Sequence, residues 1–81
     1  MAATRSDIER WLKGAPKTAT HLIVVCDTYD WDDYPVYVEE GEDARAKADE
    51  YRTKSMQQVM EVYNLKMNIE AQLNEHRAFN Y

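Results

Sequence analysis

The chain has 81 residues, of which 44% are hydrophobic and 31% charged, and its net charge is −5 with a single cysteine. This is the composition of one globular domain, not of a disordered segment, with a thin core that buries about 60–65% of the unfolded surface. One cysteine excludes an internal disulfide, scattered basic residues exclude a phosphate-binding stripe, and the longest apolar run, Leu22 to Cys26, is too short to span a bilayer.

A single domain over residues 1–81 is therefore expected, with no membrane partner and no direct nucleic-acid partner. The stretch from Met1 to Gly14 has no apolar secretory core, and unpaired cysteine usage fits a reducing compartment. The expected location is cytoplasmic.

Ser6-Asp7-Ile8-Glu9 reads as a capping box, with Ser6 as N-cap and Glu9 reaching back to it. Ile8, Trp11 and Leu12 follow at helical spacing on one face. Gly14 and Pro16 end the helix after about two turns. So short a helix is unstable alone, and Trp11 must dock on the rest of the chain.

From His21 the sequence turns to strand, and Leu22-Ile23-Val24-Val25-Cys26 is a continuous apolar run. Such a run predicts burial on both faces, or at least a central place in the sheet. Asp27 to Tyr34 reads as a polar, aromatic turn of about eight residues. Pro35 belongs at a strand start or on an edge strand, and Val36-Tyr37-Val38 alternates as a strand does. The two strands pair as an antiparallel hairpin, because the connection is too short for a parallel crossover.

After the turn at Glu39 to Glu42, helical spacing runs to about His76 without Gly or Pro. Ala44, Ala48 and Tyr51 make one stripe; Met56, Val59, Met60, Tyr63 and Met67 continue it, and Leu65, Ile69 and Leu73 carry the last part. Thinning of apolar residues at Thr53-Lys54-Ser55, with Ser55 and Gln58 as a second capping box, predicts two helices or one bent helix. The expected fold class is α+β: a short N-terminal helix, an antiparallel β-hairpin and a long or bent C-terminal helical arm.

Charge is segregated along this scaffold. Between Lys17 and Arg45 stand eight carboxylates and no lysine or arginine, so the segment carries −8 and its flanks +3. The acids are Asp27, Asp30, Asp32, Asp33, Glu39, Glu40, Glu42 and Asp43, interleaved with Tyr29, Trp31, Tyr34 and Tyr37. Tyrosine and tryptophan recur at binding hot spots, where each buries apolar area and offers a hydrogen bond. An arginine can stack on Trp31 while Asp30 and Asp32 neutralise it. The bland reading has Trp31 or Tyr34 folded back over the core.

The cluster Asp27, Asp30, Asp32 and Asp33 invites a divalent-metal reading, since hard cations take carboxylate oxygens. Counted from Asp30, however, Tyr34, Pro35 and Gly41 occupy the fifth, sixth and twelfth positions, which breaks the EF-hand pattern. No metal and no cofactor are expected. His21 and His76 form no triad with a serine, and are expected at a strand start and a helix end. Cys26 lies in an apolar strand beside acids, the wrong setting for a thiolate. The chain is expected not to be an enzyme.

The block HLIVVCDTYDWDDYPVYV, His21 to Val38, and the acidic build around it resemble the short proteins of bacteriophage genomes, and are similar in general properties to anti-CRISPR and other host-takeover inhibitors. That resemblance implies a non-enzymatic inhibitor acting in the host-cell cytoplasm by covering a basic site on a nuclease or polymerase. It lies in size, charge and style, so no residue role carries over from it.

The leading expectation is a protein-binding inhibitor or adaptor, a nucleic-acid mimic in charge. Its partner-binding residues are Asp27, Tyr29, Asp30, Trp31, Asp32, Asp33, Tyr34, Tyr37, Glu39 and Glu40, and its partner a host protein with a basic surface. The alternatives are a homodimer assembled through Leu65, Ile69, Leu73 and Phe79, or a divalent-metal-binding protein through the cluster of aspartates.

Overall fold

A computed structural model of the chain describes residues 3–75 and 77–81. Its elements are α1 (Arg5–Lys13), β1 (Ala19–Asp27), β2 (Asp32–Glu39), α2 (Ala44–Thr53), β3 (Gln57–Asn64) and α3 (Ile69–Leu73). The strands form one antiparallel sheet in the order β2-β1-β3. The class is α+β.

The apolar run of β1 explains the layering. Leu22 to Cys26 are all buried. Ile23 and Val25 point into one cluster with Val38, Ala44, Ala48, Val59 and Val62, on the α2 side. Leu22 and Val24 point into a second with Ile8, Tyr63 and Ala78, on the α1 side, against which Trp11 and Leu12 pack. A strand apolar on both faces is thus the central strand, with helices covering each side. Pro35 lies inside β2, an edge strand, where a missing N–H is tolerated.

The α1 cap differs from expectation. Thr4, not Ser6, is the N-cap: its hydroxyl accepts from the Asp7 amide at 3.2 Å, and the Asp7 carboxylate accepts from the Thr4 amide at 3.1 Å. Asp7 does the work assigned to Glu9, and the Thr4 hydrogen bonds hold its carboxyl below the usual range. Glu9 instead pairs with Arg5 at 3.2 Å, and Arg5 reaches on to Asn74 and Glu70, tying α1 to α3.

At α2 the sequence stripe holds. Asp43 caps the helix by accepting from the Arg45 and Ala46 amides, and Ala44, Ala48 and Tyr51 face the sheet. Small alanines let the helix lie close over Val38 and Val62. The helix ends at Thr53, where a break is expected.

The helical arm beyond it is not there. Residues 57–64 form β3, and the last helix is a short turn over 69–73. A β-bulge explains the misreading: Val24 pairs with Glu61 and Val25 with Val59, leaving Met60 as an extra residue. Val59 and Val62 therefore share the α2 face, while Met60 and Tyr63 share the α1 face. Apolar residues at spacings of three and four, the usual helical mark, here serve both faces of a bulged strand. Ser55 and Gln58 consequently cap no helix. The expectation for His76 lies outside the described residues.

The outer edge of β3 is closed by the chain itself. The Val62 amide donates to the Ala78 carbonyl at 2.8 Å, and the Asn80 amide donates to the Val62 carbonyl at 3.0 Å. Next along, Gln72 is 1% exposed and acts as a surrogate peptide. Its Oε1 accepts from the Asn64 amide at 2.7 Å, and its Nε2 donates to the Asn64 carbonyl at 2.9 Å and the Asn68 carbonyl at 3.1 Å. The tail is held from outside by Tyr81, with the Arg45 guanidinium 4.2 Å from its ring centre and Arg52 donating to its hydroxyl.

Candidate functional site

The β1–β2 turn is shorter than the sequence suggests. Both strands run on until Asp27 pairs with Asp32 and Cys26 with Asp33, so the turn proper is Thr28–Trp31. The Asp27 carboxylate accepts from the Tyr29 amide at 2.9 Å, pinning the first half of the turn. Tyr29 is 73% exposed and Trp31 63% exposed. Trp31 has φ 58°, a left-handed conformation rare for so bulky a residue.

The ten expected partner-binding residues do not form one surface. Tyr34 faces α2 and its hydroxyl donates to Gln57 Oε1; burial raises its phenol pKa. Tyr37 faces α1 and donates to the Trp11 carbonyl at 2.8 Å. Both tyrosines serve the sheet. Glu39 and Glu40 lie at the opposite end of β2, about 23 Å from Asp32 at ~3.3 Å per residue.

The eight acids thus divide into two groups with different duties. At the far turn, Glu39 accepts from the Thr18 hydroxyl at 2.7 Å, Glu42 pairs with Lys47 at 3.0 Å, and Asp43 caps α2. The Glu42 carboxyl is held low, first by its bond from the Glu39 amide and then by Lys47. Gly41, at φ 90°, supplies the left-handed residue that turn needs. At the near turn, Asp33 accepts from the Ala3 amide at 2.9 Å. Among the described residues, Asp27, Asp30 and Asp33 make no ion pair with a lysine or arginine.

One residue of this end was missed. Met56, assigned by spacing to a helical stripe, sits in the α2–β3 turn at φ 61° and is 49% exposed. Its carbonyl accepts from the Thr28 amide at 2.9 Å. No local signal separated it from the stripe.

The proposed dimer residues are also dispersed. Leu65 and Leu73 pack on the α1-side core. Ile69 lines an open groove of about 320 Å³ between α1 and α3, with Glu9, Leu12, Lys13, Glu70 and Leu73. Phe79 is in the tail on the α2 side, 6.0 Å from Arg52.

Among the described residues no three His, Cys, Asp or Glu side chains converge as a metal requires, and no helix is long and apolar enough to cross a membrane. Burial, then the Asp33 carboxylate, pushes the Cys26 thiol up, which disfavours the thiolate a nucleophile needs.

His21 is the third residue of β1 rather than a surface strand start. It is half-buried; Nδ1 is 2.8 Å from the Thr20 hydroxyl, and Nε2 is enclosed with no partner among the described residues. Burial first, then Lys66, lowers its pKa from 6.5. A base whose folded pKa is depressed contributes stability above its unfolded pKa and loses it as pH falls toward the folded value. Urea unfolding is therefore expected to show falling stability as pH drops below 6.5, and His21→Leu should flatten that slope. Equal slopes in the two proteins would remove His21 as the cause.

No family model, no curated protein and no solved structure matches the chain.

Proposed function

We propose that this chain is a non-enzymatic protein-binding inhibitor or adaptor, of the phage anti-CRISPR kind, whose β1–β2 tip docks on a basic surface of a partner. Such a surface is what a nuclease or polymerase uses to hold nucleic acid. The observation that supports this reading is the tip itself. Tyr29 and Trp31 stand in solvent there, beside Asp27, Asp30 and Asp33, which have no internal ion pair among the described residues. Exposed aromatics beside carboxylates that meet no lysine or arginine among the described residues suit a cationic partner, and the attraction weakens with salt.

Splitting the acids narrows the mimicry. The near-turn acids and the far-turn acids are too far apart to act as one phosphate-like row, and the far group is committed to the turn and the α2 cap. The tip alone carries the proposal. The variant Asp30→Lys tests it and leaves Asp33 to hold the Ala3 amide. Used as bait in a bacterial lysate, it should lose at least tenfold of the partner captured by the native chain, with an unchanged melting profile. Equal capture by both baits ends the proposal.

A further inference from the structure

We infer that the α2–β3 turn is the second half of this docking surface, and that Met56 joins Tyr29 and Trp31 in one apolar platform for an arginine-bearing segment of the partner protein. The inference rests on the tip reading above and adds to it a second loop and the partner's side-chain chemistry.

The topology brings the two turns together. Across the end of the sheet, the last paired residues are Asp32, Asp27 and Gln57. One step further out lie Trp31, Thr28 and Met56, and the Thr28 amide bonds the Met56 carbonyl at 2.9 Å. With neighbouring strands ~4.8 Å apart, the backbones of Trp31 and Met56 flank Thr28 at about 10 Å from each other. A long side chain laid over Thr28 touches both.

Exposure marks the same place. Of five large hydrophobic side chains exposed among the described residues, Tyr29, Trp31 and Met56 are at this end. Trp31 and Met56 are also the two non-glycine residues with positive φ among those described. Neither is glycine, although glycine would relieve a left-handed cost of ~1–2 kcal/mol at each. The side chains are kept where the backbone would prefer none.

Charge selects the occupant. Asp27, Asp30 and Asp33 repel a second copy of this tip, a nucleic acid and an anionic lipid surface alike. Lys54, on the α2–β3 turn, is drawn to the Tyr51 ring at 4.3 Å. A cationic protein segment fits. Arginine fits better than lysine, because a planar guanidinium stacks on Tyr29 or Trp31. Its aliphatic stem then lies against the polarisable Met56 thioether.

The test uses the full chain, with methionine methyls and indole N–H groups labelled for NMR. An arginine-rich peptide and a lysine-rich peptide of equal length serve as probes. The arginine peptide should move both the Trp31 indole and the Met56 methyl, and bind about fivefold tighter than the lysine peptide. Met56→Gly, which removes the thioether and relaxes the backbone, should weaken it about fivefold. Met67→Ala, an exposed methionine elsewhere, should leave it unchanged. If Trp31 responds while Met56 stays still and Met56→Gly binds like the native chain, the second loop is overturned and the tip reading stands. If neither residue responds, both fall. Equal binding of the two peptides overturns the preference for arginine.

Discussion

Replacing Gln72 with leucine is expected to cost about 2 kcal/mol of stability, with a fall in Tm of roughly 10 °C for a domain of this size. The side chain is buried, and leucine, of similar volume but branched one carbon earlier, fills the site without hydrogen-bonding there. What is lost is the partner of the Asn64 amide, on the closed edge of β3, and one of two donors to the Asn64 carbonyl, which keeps its bond from the Met67 amide at 3.1 Å. A buried backbone amide left unsatisfied costs about 1–3 kcal/mol. Gln72 also accepts from Asn80 Nδ2 at 3.2 Å, so the tail loosens with it. Urea unfolding measures the loss, and a change within 1 kcal/mol would show that the edge does not depend on this amide.

Gln72→Glu separates hydrogen bonding from shape. One carboxylate oxygen can still accept from the Asn64 amide, but the other then faces the Asn64 and Asn68 carbonyls, which Nε2 now serves. At neutral pH the variant should be less stable than Gln72→Leu, because a buried charge meets two acceptors. Protonation turns that oxygen into a donor. The folded pKa of the new glutamate is thus raised above an unfolded value of about 4.3, and its penalty shrinks as pH falls through the folded pKa. The gap to the native chain should narrow on acidification.

This edge is also where the sequence was least legible. The apolar run Leu22 to Cys26 declared a strand buried on both faces, and α1, α2 and the break after Thr53 followed from apolar stripes and helix stops, although the α1 cap lies two residues earlier than the sequence suggested. A central strand needs a neighbour on each side, and β2 supplies only one. That requirement implied β3, but the bulge at Met60 gave residues 59–63 a helix-like spacing, and the absence of glycine and proline strengthened the wrong reading. Gln72 was invisible for a different reason: its value comes from where Asn64 and Asn80 arrive in space. At the tip, aspartates at strand ends hid the last strand pairs, since aspartate is depleted in strands. Tyr34 therefore looked like a turn residue, whereas Tyr37 was legible as a strand residue, and their spacing places them on opposite faces of the sheet. Exposure of Trp31 is a feature that composition alone left open between docking and folding back.

Trp31→Gly turns that feature into a test with opposite signs for stability and binding. At φ 58° an L residue bears a left-handed cost of about 1–2 kcal/mol, which glycine escapes. Part of the gain is cancelled because glycine loses more freedom on folding. Stability should hold or rise by up to about 1 kcal/mol, and Trp31→Ala, which keeps the strain, should be the less stable of the two variants. Binding should behave differently. An exposed tryptophan that anchors a partner carries about 2 kcal/mol or more, so affinity for the captured protein should fall roughly 30-fold in both variants. Calorimetric titration and thermal melts on the same preparations read the two effects. A marked loss of stability in Trp31→Gly would assign the ring to the fold, whereas native affinity in a stable Trp31→Gly protein would move the docking surface away from the tip. The reason to expect neither is local: the ring is 63% exposed, so the fold gains little from it, and under the docking proposal the backbone strain at Trp31 is offset by what the ring meets in the partner.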